Sequence, residues 1–101
     1  MKILDGKRYN TETAEKLCDL PCNVYSDDFG WHKTALYVTT SGAFFLAGEG
    51  NASSMWGQSA PGGGSIPGEG IRPIERDEAR KHLEDAGEDY EIERLFEVTD
   101  A

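Results

Sequence analysis

Two cysteines and two histidines are the residues of this sequence best suited to hold a metal ion. Cys18 and Cys22 lie four positions apart, and His32 and His82 follow elsewhere in the chain. A structural zinc site with two cysteine and two histidine ligands normally supplies them as two close pairs. Here the histidines are fifty residues apart, and Pro21 breaks any helix between the cysteines. We therefore predict no metal site and expect the cysteines to be buried or half-buried free thiols.

The glycine-rich run Gly62-Gly63-Gly64-Ser65 is the only candidate for phosphate binding. It lacks the following Gly-Lys-Ser/Thr of a P-loop, and it does not join a strand directly to a helix. The serines lie in predicted loops, and neither histidine has an acidic residue nearby in the sequence at a spacing that indicates a catalytic pair. We predict no catalytic residue and no cofactor, so we expect that the chain is not an enzyme. A deep cleft containing His32 or His82 would revive a small hydrolase or transferase.

Carboxylates are the functional groups that the chain concentrates. The formal net charge is −9, from 19 acidic and 10 basic residues. Residues 75–101 hold 11 acidic and 4 basic side chains, so −7 of that charge lies in the last quarter. The densest part surrounds a predicted corner between two helices. We call it the acidic corner and predict that it binds protein through Glu84, Asp85, Glu88, Asp89, Glu91 and Glu93.

Carboxylates spaced along helices can imitate the phosphates of a nucleic-acid backbone. They would then occupy an Arg/Lys-lined groove on a protein, and the charge would steer a fast, salt-sensitive encounter. Direct binding of nucleic acid is disfavoured, because neutralising phosphates needs a basic surface. The predicted partner is therefore a basic protein surface. The alternative is an ordinary solvated face whose charge keeps the protein soluble.

Two further segments are candidate contact surfaces. Asp27 and Asp28 precede Phe29 in the connection from Asn23 to Trp31, which we call the contact loop. The alternative for this loop is an edge turn whose Phe29 and Trp31 cap the core. Trp56, next to Met55, could either fix the glycine-rich segment to the core or act as an exposed hot spot, and the sequence leaves both open.

No apolar run approaches the roughly 20 residues of a membrane span. The first residues, Met1 to Asp5, are too short and too soon charged for a signal peptide. We therefore expect no membrane partner and a cytoplasmic location, where the cysteines would stay reduced.

The elements that must position these residues are organised around the segment from Thr34 to Gly50. Two runs rich in β-branched, aromatic and aliphatic residues flank Ser41-Gly42, which is the pattern of a β-hairpin. Period-two spacing places one set of side chains on one face, namely Leu36, Val38, Phe44 and Leu46. The other face receives Tyr37, Phe45 and Ala47. Both faces are apolar, so both need cover.

Short local signals predict the remaining elements. Asp5-Gly6 favours a type I′ turn in a first hairpin. Asn10 is a good N-cap for a helix over Thr11–Cys18, whose Ala14, Leu17 and Cys18 form an apolar stripe. Ile71–Ile74 reads as an edge strand that tolerates Pro73. Two C-terminal helices are predicted over Glu75–Ala86, with Gly87 as its stop, and over Asp89–Val98.

These elements predict one α+β domain over residues 1–101. An antiparallel sheet built on the central hairpin would be packed by the N-terminal helix and by one or two C-terminal helices. The connection at about 48–70 is predicted to be a flexible glycine-rich loop, because Gly, Ser, Asn and Pro dominate it.

The order of these elements resembles that of small proteins carried by phages, plasmids and integrative elements. The similarity lies in a hairpin-plus-helix start (Lys2 to Ala14), an aromatic hairpin (Gly42 to Gly50), a Gly/Ser-rich connection and a helix opening (Ile74 to Ala79). Some small acidic proteins of that provenance are anti-CRISPR proteins, which bind a CRISPR–Cas effector and block it. The resemblance implies an inhibitor of host defence whose partner is an effector subunit. It carries over no catalytic residue.

The leading hypothesis is thus a non-enzymatic inhibitor whose acidic corner competes with nucleic acid for a basic groove on the effector. The alternative is a small accessory or antitoxin-like protein of a mobile element. That protein would bind through an apolar contact, at Met55-Trp56 or at Phe29 and Trp31, instead of through charge.

Overall fold

An antiparallel sheet of four strands forms the centre of the protein, whose computed structural model describes all residues from Met1 to Ala101. The elements in chain order are β1 (Lys2–Leu4), β2 (Lys7–Tyr9), β3 (Glu15–Asp19), β4 (His32–Val38), β5 (Phe44–Gly50), β6 (Gln58–Ser59), β7 (Ser65–Ile66), β8 (Gly68–Ile74), α1 (Arg76–Asp85) and α2 (Asp89–Leu95). The central sheet has the order β3-β4-β5-β8, and β1-β2 and β6-β7 form two small separate hairpins. The predicted α+β class with an antiparallel sheet is confirmed. No helix is long and apolar enough to cross a membrane.

The central hairpin follows the predicted alternation. Leu36 lies opposite Leu46, and Val38 lies opposite Phe44. All four side chains belong to the main apolar core, which Ala79 and Leu83 of α1 complete from one side. The strand pairing therefore directs the aliphatic face of the hairpin towards the C-terminal helices.

The opposite face of the sheet is covered by the first hairpin. Tyr37 and Phe45 lie side by side in the β4-β5 ladder, and their rings stack with centroids 5.2 Å apart. Tyr9 of β2 packs edge-on against Phe45, with centroids 5.6 Å apart. The type I′ turn predicted at Asp5-Gly6 is present, because both residues have positive φ, 50° and 73°. The turn thus brings Tyr9 back over the aromatic face.

The predicted N-terminal helix over Thr11–Cys18 is wrong. The side chain of Asn10 does accept a hydrogen bond, from the backbone N–H of Glu12 at 2.9 Å. The backbone carbonyl of Asn10 also accepts hydrogen bonds from the backbone N–H groups of Thr13 and Ala14. Asn10 therefore closes a tight turn instead of opening a helix. The chain then continues as strand β3, which pairs with β4 along the edge of the sheet.

A β-bulge explains why β3 looks helical in the sequence. The register shifts between Lys16 and Cys18, so Leu17 is an extra residue without a partner on β4. Without a bulge, neighbouring side chains would point to opposite faces. With it, both Leu17 and Cys18 enter the core. Consecutive apolar residues one turn after Ala14 imitate a helical stripe, although the backbone is extended.

The two C-terminal helices are shorter than predicted. Helix α1 ends at Asp85, and Gly87 acts as the expected stop, since its φ of 71° is left-handed. The N–H of Glu88 donates to the carbonyl of Leu83 at 2.9 Å, and that of Gly87 donates to Glu84 at 3.1 Å. This pair of bonds is a Schellman motif, which stops the helix and turns the chain. Helix α2 ends at Leu95, because Phe96 has extended dihedrals.

The chain after α2 is tied to the sheet by an arginine and two aromatic rings. Phe96 stacks on Phe44 with ring centroids 5.4 Å apart. The guanidinium of Arg76 lies 4.5 Å from the Phe96 ring centre and donates to the carbonyl of Leu95 at 2.8 Å. The cation–π contact and the hydrogen bond together hold the end of α2 against α1 and the sheet.

The glycine-rich segment carries more regular structure than the sequence predicts. Strand β5 continues to Gly50, β8 begins at Gly68, and the short β6-β7 hairpin lies between them. The predicted last strand, Ile71–Ile74, is only the second half of β8. The flexibility predicted for residues 48–70 stays a prediction.

Trp56 fixes this segment to the sheet. Its side chain is only 6% exposed. The indole Nε1 donates to Thr34 Oγ1 at 2.7 Å, and the guanidinium of Arg72 lies 5.6 Å from the ring centre. Of the two roles left open for Trp56, the structure shows the packing role. Helix α1 and Trp56 thus cover two different ends of the same sheet face.

We expect alanine at Gly48 to destabilise the fold and alanine at Gly70 to be tolerated. A Cβ at Gly48 would lie 2.3 Å from the Lys33 carbonyl oxygen and 2.8 Å from Trp56 Nε1. At Gly70 the nearest atom is a Trp56 ring carbon at 3.4 Å. Gly48→Ala should therefore cost about 1–3 kcal/mol of unfolding free energy, measured by urea denaturation. Gly70→Ala should be neutral or stabilising by roughly 0.5 kcal/mol. Equal effects at both positions would contradict this packing.

We also expect Thr34→Val to destabilise the protein although it preserves the side-chain shape. The valine would leave the Trp56 N–H buried without an acceptor, which costs about 1–3 kcal/mol. Thr40 is exposed, so Thr40→Val should change the unfolding free energy by less than about 0.5 kcal/mol. Comparable midpoints for the two variants in urea denaturation would argue against the hydrogen bond.

Candidate functional site

The acidic corner lies where the chain turns from α1 into α2. Glu84 and Asp85 close α1, Glu88 precedes α2, and Asp89 opens it. Asp85 and Asp89 are exposed and Glu88 is half-buried. The Schellman turn at Gly87 therefore groups four predicted binding residues within six positions. Glu91 and Glu93 follow within α2.

Ion pairs divide the six predicted carboxylates into two groups. Glu84 lies 3.8 Å from Arg80, and Glu91 contacts Arg94. The remaining four have no basic group within ion-pair distance, namely Asp85, Glu88, Asp89 and Glu93. The charge that the corner presents to a partner is therefore carried mainly by these four, which we call the unpaired carboxylates.

Arg94 joins the corner to the edge of the sheet. It contacts Glu91 of its own helix and Glu15 of β3, the latter at 2.6 Å. The hydrogen bond to Glu91, and secondarily that to Glu15, raises the pKa of Arg94 above its ordinary value. Glu91 is the more buried carboxylate of the two. We assign Glu91 to holding α2 in place, because its charge is already neutralised by Arg94.

Glu88 contributes to the surface charge and also affects the thiol of a core residue, Cys18. Burial raises the pKa of the Cys18 thiol, and the nearby carboxylates of Glu88 and Asp19 raise it further. Cys18 belongs to the apolar core, whereas Cys22 is half-buried and both are free thiols. Glu88, in the turn between the two helices, is therefore close enough to Cys18 for its charge to raise the pKa of that thiol.

The contact loop differs from its predicted alternative, in which Phe29 and Trp31 cap the core. The Phe29 side chain is 74% exposed, and Trp31 is half-buried. Asp27 and Asp28 are exposed as well. The structure thus places two acidic side chains and a free aromatic ring on the same short loop.

Sequence reasoning missed Tyr25, which is the most exposed large apolar side chain at 86%. It lies in the contact loop and, together with Phe29 and Asp27, lines one surface depression. Nothing local distinguishes an exposed tyrosine from one that packs inward. Its position two residues before the acidic pair Asp27-Asp28 was the only feature of the sequence that indicated an exposed side chain.

Five surface depressions are lined by neither His32 nor His82. His32 Nδ1 is 2.8 Å from Thr34 Oγ1. His82 Nε2 is buried without a hydrogen bond, with Glu78 at 3.6 Å. No cluster of three or more His, Cys, Asp or Glu side chains could hold a metal ion. The expectation that the chain is not an enzyme stays a prediction.

No protein-family model matches the chain, and no curated protein or solved structure is detectably similar to it. Arguments about function therefore start from the geometry of the acidic corner and of the contact loop.

We expect Glu88→Gln to make Cys18 more reactive. Removing the carboxylate lowers the pKa of the thiol, so more thiolate is present at a given pH. The comparison uses a Cys22→Ser background and follows the pH profile of reaction with a water-soluble disulfide reagent. The profile should move to lower pH in Glu88→Gln and stay unchanged in Asp89→Asn. The two variants should react alike in denaturant, and a shift that persists there would contradict the placement of Glu88.

Proposed function

We propose that this protein is a non-enzymatic binding protein that uses the acidic corner to occupy a basic groove on a partner protein. The more specific proposal is an inhibitor from a mobile genetic element. Such an inhibitor, of the anti-CRISPR kind, would act in the host cytoplasm and block the nucleic-acid groove of a CRISPR–Cas effector subunit.

The observation that supports this proposal is the group of unpaired carboxylates. Four acidic side chains within nine positions have no cation of their own, so each can accept an external Arg or Lys (Asp85, Glu88, Asp89, Glu93). An ordinary solvated helix face more often contains alternating charges that pair at i, i+4. Glu84 pairs with Arg80 at i, i+4 and Glu91 pairs with Arg94 at i, i+3, whereas the other four carboxylates have no such partner.

The corner is also held in a defined shape. The Schellman motif fixes the turn, Arg94 ties α2 to β3, and Phe96 stacks on the core. A partner would therefore meet carboxylates that project from a fixed backbone, so little backbone entropy is lost on binding. A fixed backbone is what distinguishes a mimic of a phosphate backbone from a merely acidic tail.

The step from an acidic binding protein to an anti-CRISPR protein rests on the resemblance in element order and on the whole-chain charge. A net charge of −9 on 101 residues is a strong field for a small protein. It would speed association with a groove built for nucleic acid and would repel nucleic acid itself. The effector type is left for the experiment to identify.

Neutralising the unpaired carboxylates should abolish inhibition. The test variant combines Asp85→Asn, Glu88→Gln, Asp89→Asn and Glu93→Gln. The assay measures target cleavage by a panel of purified CRISPR–Cas effectors, with the wild type inhibiting at least one. We expect the association rate with that effector to fall by about tenfold or more, because steering and groove contacts are both lost.

A matched control changes the same number of charges elsewhere. Asp5→Asn, Glu12→Gln, Glu49→Gln and Glu69→Gln affect exposed carboxylates outside the corner. This control variant has the same net charge as the test variant and should retain inhibition. Equal loss in both variants would show a general charge effect and contradict the corner as the site. Absence of inhibition for every effector would contradict the anti-CRISPR proposal.

One observation favours a second candidate function, the accessory or antitoxin-like module that binds through an apolar contact. Phe29 is exposed as that function requires, whereas Trp56 is buried. Binding that depends weakly on salt and is lost in Phe29→Ala would favour this module over the inhibitor.

A further inference from the structure

The contact loop has two large aromatic rings in water, and its backbone is nonetheless tightly fixed. The side-chain amide of Asn51 donates to the carbonyls of Ser26 at 3.0 Å and Asp28 at 2.7 Å. The N–H of Ser53 donates to the Phe29 carbonyl at 2.8 Å. The loop is therefore attached to the segment after β5, and its exposure does not come from a lack of tertiary contacts.

Hydrogen bonds inside the loop add to this order. Asp28 Oδ1 accepts from the N–H of Gly30 at 2.7 Å, and the Asp28 N–H donates to the Tyr25 carbonyl at 2.9 Å. Tyr25 and Phe29 are thus displayed from a fixed frame although they are 86% and 74% exposed. Ordered, exposed aromatic side chains are typical of residues that dominate binding energy at protein interfaces.

The rings and the carboxylates share one depression with a volume of about 410 Å³. Its lining consists of Asn23, Val24, Tyr25, Asp27, Asp28 and Phe29. Neither aspartate has a basic group within ion-pair distance. The depression is therefore lined by aromatic and negatively charged side chains, and no Lys or Arg side chain lines it to neutralise that charge.

We propose that the contact loop receives a positively charged side chain, arginine or lysine, from a partner protein. The ring faces of Tyr25 and Phe29 attract a cation through their quadrupoles. Asp27 and the free oxygen of Asp28 supply the counter-charge. Arginine–aromatic contacts also occur inside the fold, where Arg72 lies over Trp56 and Arg76 lies over Phe44 and Phe96. At the contact loop the aromatic side chains are present beside two aspartates, and the partner would supply the cation.

This contact is separate from the acidic corner and does not rest on the proposed function. The corner is proposed to attract a partner by its charge, with a single exposed ring at Tyr90, whereas the loop places two exposed aromatic side chains beside two aspartates. The loop should therefore favour cations that can stack on a ring. Arginine should be preferred over lysine, since its planar guanidinium lies flat on a ring and is more weakly hydrated.

The test is a titration of the full-length ¹⁵N-labelled protein, followed by NMR, with a short acetylated arginine peptide. A citrulline peptide of the same length is the control, because citrulline keeps the shape of arginine and removes its charge. We expect saturable shifts of the amides from Asn23 to Gly30 with arginine and none with citrulline. Tyr25→Leu with Phe29→Leu should weaken binding at the loop by about 3- to 30-fold.

Two further variants make the result decisive. Tyr90 is also 74% exposed and lies in the acidic corner, so Tyr90→Leu should leave binding at the loop unchanged. The variant with neutralised corner carboxylates should also keep the loop shifts, which separates this inference from the proposed function. Equal response to citrulline, or unchanged affinity in the Tyr25→Leu/Phe29→Leu protein, would overturn the proposal. A lysine peptide that binds more weakly at the same amides would support it.

Discussion

The hydrogen bond from Trp56 to Thr34 ties the glycine-rich segment to the central sheet. A segment rich in glycine and serine has too little apolar surface to pack by itself, and Trp56 supplies it with one large side chain. Thr34 lies in the middle of the sheet face and is 2% exposed, so the indole N–H finds an acceptor where water is excluded. Gly48 and Gly70 leave room for the ring. The same face is then available to α1 at its other end, and this division of the sheet sets where the helices and the acidic corner lie.

Charge is distributed according to what each part of the surface must do. Acids that hold elements together are paired, as Glu15 and Glu91 are with Arg94. Four of the acids at the corner and both acids of the contact loop are not. A cation that serves the structure is thus kept apart from carboxylates that are free to bind. Arg72 and Arg76 make internal contacts, since both lie over aromatic rings. Fewer arginines are therefore left on the surface to offset its negative charge.

Local signals in the sequence predicted the elements whose cause is local. The turn at Asp5-Gly6 and the stop at Gly87 follow from backbone preferences of single residues, and the two faces of the central hairpin follow from a period of two. Strand β3 was missed because its bulge at Leu17 breaks that period, and only pairing with β4 shows it to be extended. The sequence composition revealed the acidic corner. Which of its carboxylates lack an ion pair depends on the positions of the Arg80 and Arg94 side chains in the fold. The only local signal for Tyr25 was its position before Asp27-Asp28. The side chain that holds its loop, Asn51, is far away in sequence, so the exposure of Tyr25 could not be predicted.

The bulge in β3 also decides how the sheet ends. An open strand edge offers a row of N–H and C=O groups to any other extended chain, and regular edges invite aggregation. At one edge the extra residue Leu17 interrupts that row. At the other edge β8 carries Pro73, whose nitrogen has no hydrogen to donate and must face away from β5. Neither edge presents an unbroken template. Edge-to-edge pairing of the sheet with another chain is therefore disfavoured, and association is left to the side chains of the loops and helices.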